Sequence, residues 1–212
     1  MADLQFYFDP ICPWAYLTSR WVTEVQHQRG YEVSWKFISL FMINSDRGYG
    51  ADAQRHIDGH LLGLHALRVA SAARASAGNE AVAAVYTALG QAIHVDKRRP
   101  TEVAGMKDFT REVLSTAGLN PQWADSATDE LHDEVIRHET THALSLTGKD
   151  VGTPILVFNP DTAKPSSFFG PVISAIPRGA EALRLWDAVE TLATTSGMAE
   201  LKRSLRSAPS FD

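Results

Sequence analysis

Cys12 is the single cysteine of the 212-residue chain, and it stands between Pro10-Ile11 and Pro13-Trp14. A thiolate is a nucleophile, whereas a neutral buried thiol packs as a small hydrophobe. Which of these Cys12 can be depends on the elements around it. Residues 4–8 alternate and are rich in aromatics, the pattern of a strand, and Asp9-Pro10 breaks it. Pro13 then opens a helical pattern carried by Trp14, Leu17, Trp21, Val22 and Val25 and closed by Gly30. Cys12 therefore falls at a strand–helix junction, on the strand edge where reactive groups of parallel sheets gather. As N-cap residue it faces unpaired backbone N–H groups and the positive end of the helix dipole. The expectation is a thiol pKa below the ordinary value of ~8.5. No Lys, Arg or His flanks the cysteine to lower it further.

Other residues fall near that edge. Trp14 and Tyr16 adjoin the cysteine, and one of them is a candidate aromatic wall for a flat substrate while the other faces the core. Residues 31–40 read as a second strand, and Phe41, Asn44 and Tyr49 lie beyond its carboxyl end as candidate pocket residues. For Asn44 a plain turn role stays open. Val151-Gly152-Thr153-Pro154 immediately precedes another apolar run, 155–158, and a proline opening a strand can be an edge device.

One competing motif needs weighing. His138-Glu139-Thr140-Thr141-His142 satisfies H-E-x-x-H, a zinc-binding and general-base arrangement when it lies on a helix. Arg137, Thr140 and Thr141 make the segment read instead as a solvated helix face, so no metal site is expected. His56, His60 and His65 read as a polar stripe on a long helix.

The elements that position these residues follow in order. The strand, helix and second strand form a βαβ unit, which implies a right-handed crossover between parallel strands. The stretch from about 51 to 149 shows only helical patterns (56–77, 80–95, 103–117, 121–127 and 130–146), punctuated by Gly78, Pro100, Gly118 and Gly148. A hairpin of 155–158 and 166–169 follows, then helices at 180–195 and 199–206. The fold class is α/β, a thioredoxin-like β-α-β … β-β-α plan with a large all-helical insertion. Residues 1–45 and 150–212 are read as the thioredoxin-like domain and 46–149 as the insertion.

Composition sets outer limits. A chain of this length with 44% hydrophobic residues can bury a full core without staples. The net charge of −5 is spread without a basic block, so neither nucleic acid nor an anionic membrane is an expected partner. No signal peptide or membrane span is legible, which leads to a cytoplasmic expectation. A homodimer is left open.

Cys12-Pro13-Trp14-Ala15 after Phe8-Asp9-Pro10 resembles the DsbA-like branch of the thioredoxin superfamily. More closely, the chain resembles the mycothiol-dependent nitroreductase family. The matching elements are Thr18-Ser19-Arg20-Trp21, Val151-Gly152-Thr153-Pro154, Phe169-Gly170-Pro171-Val172, Ile176-Pro177-Arg178-Gly179 and Phe211-Asp212. The resemblance implies a cis-proline at Pro154 packed beside Cys12, with the Thr153 backbone offered to an incoming thiol. It also implies a co-substrate: a low-molecular-weight thiol, mycothiol or similar, with no tightly bound cofactor. Dithiol members carry Cys-Pro-Trp-Cys, and here the fourth position is Ala15. Either the chain is a natural monothiol protein or Ala15 replaces a cysteine.

The expected function is a monothiol, thiol-dependent oxidoreductase in which Cys12 reduces a disulfide or a small electrophile such as a nitro compound. Pro13, Trp14, Ala15, Tyr16, Asn44, Tyr49, Thr153 and Pro154 are the expected thiol- or substrate-binding residues. The alternatives are a glutathione-transferase-like or isomerase-like member, in which the bound thiol reacts, and a binding module without catalysis.

Overall fold

The computed structural model describes residues 2–50, 53–100 and 102–211; Asp212 of the Phe211-Asp212 match lies outside them. β1 (Leu4–Phe8), β2 (Val33–Phe37), β3 (Ile155–Phe158) and β4 (Ser166–Phe169) form one sheet in the order β2-β1-β3-β4. β1 pairs parallel with β2 and antiparallel with β3, and β3 pairs antiparallel with β4. Alternation along β1 divides the core. Leu4, Phe6 and Phe8 join the large cluster with Trp21, Tyr86 and Trp186. Tyr7 points the other way, into a smaller cluster with Ile43, Ala143, Ile155 and Val157.

α1 (Pro13–Arg29) begins at its proline and ends on Gly30, whose φ of 69° and N–H bond to the Gln26 carbonyl close the helix. β2 is shorter than the 31–40 run suggested. Ser39 takes the N-cap position and accepts a hydrogen bond from the Met42 N–H at 3.3 Å, so that Leu40–Arg47 becomes α2. Asn44 is thus a helical residue, not a turn residue. α3 spans Ala53–Gly90 with one non-helical residue, Gly78. A π-helical turn (Gln91–Val95), α4 (Met106–Thr116), a 3₁₀ segment (Pro121–Thr128) and α5 (Asp133–Thr147) lead back to β3. α6 covers Gly179–Thr194. The helix expected at 199–206 does not form. Leu201 and Leu205, its apolar positions, are 72% and 89% exposed, and a short helix without a surface to cover has little to stabilise it.

Among the described residues no strand lies beside the outer edge of β2, and side chains from the intervening helices satisfy it. Asn79 of α3 accepts from the Trp35 N–H and donates to the Val33 carbonyl, both at 2.8 Å. Glu139 of α5 accepts from the Phe37 N–H at 2.7 Å, and the Thr140 hydroxyl accepts from the Ser39 N–H at 3.0 Å. The Glu139 carboxylate also pairs with Arg74 at 2.8 Å and Lys36 at 3.7 Å, and the Arg74 guanidinium lies 4.1 Å over the Phe37 ring. This accounts for the H-E-x-x-H match. Glu139 and Thr140 are buried, contrary to a wholly solvated face, while His138 and His142 are exposed. Glu139 is committed to the sheet and cannot serve as a general base between those histidines. Among the described residues no group of three or more His, Cys, Asp or Glu side chains could hold a metal ion.

α3 and α5 are joined by a bidentate pair, Arg68 to Asp133 at 2.7 and 2.8 Å. Beside it His65 is buried, so the three histidines of α3 are not one polar stripe: His56 is exposed and His60 partly covered. Among the described residues no helix is long and apolar enough to cross a membrane. Glu139→Ala leaves a buried N–H and a half-covered guanidinium without their shared acceptor. It should cost on the order of 2–4 kcal/mol in denaturant unfolding, whereas His138→Ala should be close to neutral.

Candidate functional site

β1 delivers the chain to the Asp9–Cys12 turn, and the turn delivers Cys12 to the start of α1. The Cys12 N–H bonds the Asp9 carbonyl at 3.0 Å, and the Cys12 carbonyl accepts the Tyr16 N–H as the first bond of the helix. Cys12 has the extended backbone of an N-cap residue, φ −81° and ψ 112°. The residue is 7% exposed, and its thiol donates to the Thr153 carbonyl at 3.6 Å. The Thr153–Pro154 peptide is cis, the Thr153 hydroxyl donates to the Tyr7 carbonyl at 3.1 Å, and both residues are buried. The two segments singled out in the sequence, 12–15 and 151–154, therefore meet at the sulfur. A second cis peptide, Gly170–Pro171, lies alongside. The Gly170 N–H bonds the Pro154 carbonyl at 2.9 Å, and the Thr18 hydroxyl bonds the Pro171 carbonyl at 2.8 Å.

The expected low pKa of Cys12 is not what the structure shows. Burial pushes the thiol up to about 12. The Ala15 and Trp14 N–H groups at the helix start pull it down, and the neighbouring Asp9 carboxylate raises it. The N-cap position is real, but desolvation of a thiolate in a nearly closed site outweighs the helix terminus. The resting residue is a neutral thiol that donates its hydrogen bond to the Thr153 carbonyl.

The remaining candidates divide. Pro13 and Trp14 follow Cys12 and are half-buried, Trp14 packed partly against the main core. Ala15 is fully buried in the core and presents no side chain to a ligand. Tyr16 is also in the core, 2% exposed, with Tyr86 edge-on at 6.0 Å, His94 at 5.3 Å and the Arg20 guanidinium 5.0 Å from its ring. Of the two aromatics, Trp14 alone can meet a ligand. Asn44 spends its amide on the Leu40 carbonyl at 2.7 Å. Tyr49 pairs its hydroxyl with His60 Nδ1 at 3.0 Å. Both belong to the neighbourhood of α2, which packs along the 151–153 turn through Arg47, bonded to the Val151 carbonyl at 3.1 Å. Phe41 is half-buried against the main core.

Sequence reasoning passed over two residues. Asp9 looked like a strand breaker, yet it is fully buried three residues before Cys12. His94 donates through Nε2 to the Pro10 carbonyl at 2.8 Å. A carbonyl only accepts, and burial lowers the His94 pKa, so this histidine is neutral with its proton on Nε2. Phe211 stacks on it at 5.8 Å. The one available signal was the position of Asp9 in a strand-end motif; nothing in the sequence links residue 94 to residue 10.

The fold and this junction define a DsbA-like protein of the thioredoxin class. Residues 11–203 match the Rv2466c-like family, described as mycothiol-dependent nitroreductase Rv2466c, and the chain belongs to that family. It is 30% identical over 205 residues to the Mycobacterium tuberculosis protein Rv2286c, covering 96% of this chain and 82% of that one. Three solved structures share the fold. The cytosolic disulfide reductase DsbM from Pseudomonas aeruginosa with GSH has a TM-score of 0.53 at 15% identity, covering 78% of this chain and 88% of that chain. A 2-hydroxychromene-2-carboxylate isomerase has a TM-score of 0.57 at 15% identity, covering 89% and 93%. The probable DsbA oxidoreductase SCO1869 from Streptomyces coelicolor has a TM-score of 0.54 at 16% identity, covering 94% and 92%.

A thiol held near 12 carries on the order of a thousandfold less thiolate at neutral pH than a free cysteine near 8.5. Iodoacetamide should therefore alkylate Cys12 in the folded chain at least a hundredfold more slowly at pH 7.5 than in the chain unfolded in urea. Equal rates would contradict the burial seen here.

Proposed function

We propose that the chain is a thiol-dependent oxidoreductase that works through one cysteine, Cys12, with a low-molecular-weight thiol as co-substrate. The observation that carries the reading is the meeting of Cys12 Sγ with the Thr153 carbonyl at the cis Thr153–Pro154 turn. In that arrangement an incoming sulfur can lie against backbone while Cys12 attacks it. Family membership supports a small thiol as the partner and mycothiol as the first to test.

With a disulfide RSSR, the Cys12 thiol loses its proton and its sulfur attacks one sulfur of the substrate. One S–S bond forms, another breaks, and RS⁻ leaves. A second small thiol, deprotonated, then attacks the mixed disulfide, releases a new disulfide and returns Cys12 to the thiol. Ala15 supplies no internal resolving sulfur, so one external thiol R'SH resolves Cys12 in each pass and leaves as R'SSR; a second pass with another R'SH completes the reduction of RSSR to two RSH, and two external thiols then end as one disulfide. For a nitro compound, two thiols supply two electrons and two protons, giving a nitroso product, water and one disulfide. The exposed part of Trp14, two residues beyond Cys12, would stack against the flat substrate, with Pro13 beside it. Asn44 and Tyr49, on and just beyond α2, are proposed as the far wall. We read residues 46–149 as the insertion that closes over this edge.

The resting state as a buried neutral thiol favours a second reading, in which a bound thiol reacts and Cys12 holds it in place by hydrogen bonding. One variant separates the two. Under the first reading, the intact chain incubated with oxidised mycothiol or glutathione gains one thiol mass on Cys12, a reductant removes it, and Cys12→Ser abolishes turnover. Turnover in Cys12→Ser that falls less than tenfold would favour the second. Ala15→Cys should allow an internal disulfide and lower the dependence of the rate on the second thiol; an unchanged dependence would count against the monothiol route.

A further inference from the structure

Asp9 has a geometry that neither the fold nor the chemistry above requires. It is the last residue before the Cys12 turn, and its carboxylate is entirely buried. Oδ1 accepts from the Ile11 N–H at 3.1 Å, and Oδ2 accepts from the Leu40 N–H at 2.8 Å. Ile11 immediately precedes Cys12, and Leu40 is the first residue of α2. α3 closes the third side. A Cβ on Gly63 would come within 2.3 Å of Oδ1, so the absence of a side chain there makes room for the carboxylate. None of the ion pairs among the described residues includes Asp9. The titratable groups on which its charge acts are the Cys12 thiol and the Tyr49 hydroxyl, both of which it raises; the flanking residues Leu40 and Gly63 carry no charge.

A buried carboxylate without a cation is costly unless its oxygens are satisfied. Here the oxygens are satisfied by two backbone N–H groups from separate elements, which a hydrocarbon side chain would leave unpaired. We propose that Asp9 is the positioning residue of the Cys12 site, clamping the nucleophile turn to the first turn of α2 with one carboxylate oxygen on each. The inference rests on the reading of Cys12 as the reacting group. By fixing Ile11 and Leu40 to one another, Asp9 sets where the sulfur stands relative to the helix that carries Asn44. Its charge also restrains the formation of a second negative charge on sulfur until a ligand arrives. Burial pushes Asp9 up to about 7, against the two N–H bonds that pull it down. The clamp and the restraint therefore change within the neutral range.

Asparagine is the informative replacement. It has one acceptor and one donor in place of two acceptors, so one of the two backbone N–H groups must face another donor. The experiment is the rate of Cys12 alkylation by iodoacetamide in the full chain from pH 5.5 to 9.5. In the wild type, the logarithm of the rate should climb less than tenfold per pH unit across pH 6–8, as Asp9 acquires its charge, and at the full slope above. In Asp9→Asn that break should vanish and the rate at pH 8 should rise severalfold. A purely structural role would scale the rate at every pH and leave the break in place. A wild-type profile without a break near pH 7 overturns the proposal, as does an Asp9→Asn protein that melts cooperatively and keeps both the break and the rate. If Asp9→Asn does not fold, Gly63→Ala decides: it retains the charge but displaces Oδ1, so the alkylation rate should rise, and an unchanged rate overturns the clamp. Alkylation needs no turnover. A chain that shows the break yet never forms a mixed disulfide would refute the oxidoreductase reading and leave Asp9 standing.

Discussion

The outward-facing backbone groups of β2 are the constraint from which much of this structure follows. An edge strand in water exposes a row of donors and acceptors that invite pairing with another chain. Here Trp35, Phe37 and Ser39 donate to Asn79, Glu139 and Thr140, so α3 and α5 are held to the sheet by hydrogen bonds as well as by apolar contact. These bonds fix the register of the intervening helices against β2. Once α3 is held at Asn79, its preceding turns pass Asp9 at Gly63, and α5 is placed to pair Asp133 with Arg68. The position of the helices over the Cys12 edge is thus set at the far side of the sheet.

The same arrangement explains why Cys12 rests as a thiol. A helix N-terminus favours negative charge, but its effect is worth about a kilocalorie or two at most, whereas removing a thiolate from water costs several times that. The helix start alone would activate the cysteine. The closure of the turn by Thr153, Pro154 and the 9–12 segment reverses the sign. A site of this kind is quiet until something displaces the contact between the thiol and the Thr153 carbonyl, which suits a proposed nucleophile that meets its partner only as a bound small thiol.

Much of the fold was legible because local pattern and tertiary role agree. Alternating aromatics made β1, Pro13 and Gly30 bracketed α1, and the hairpin of β3 and β4 stands where its turn residues put it. Misreadings occurred where local pattern was indifferent to context. The 31–40 run is apolar enough for a strand, but the Ser39 cap ends it and starts α2. The 199–206 segment has helical spacing but no surface for Leu201 and Leu205 to cover. Glu139 and Thr140 are polar residues in a polar stretch, and only the unpaired N–H groups of β2 turn them inward.

The family resemblance pointed to the meeting of Cys12 with the Thr153-Pro154 turn, and the sequence by itself determined the class of fold, the junction at which Cys12 lies, and the lack of a second sulfur at Ala15. Each is a matter of residue identity and order along the chain, which short-range geometry converts directly into place. Tertiary structure alone decided the protonation of Cys12, the inward turn of Tyr16 and Ala15, and the burial of Asp9 between Ile11, Leu40 and Gly63. These depend on how much water is excluded and which distant backbone groups arrive unpaired. A thiol that the chain order presents as activated is held neutral by the packing around it.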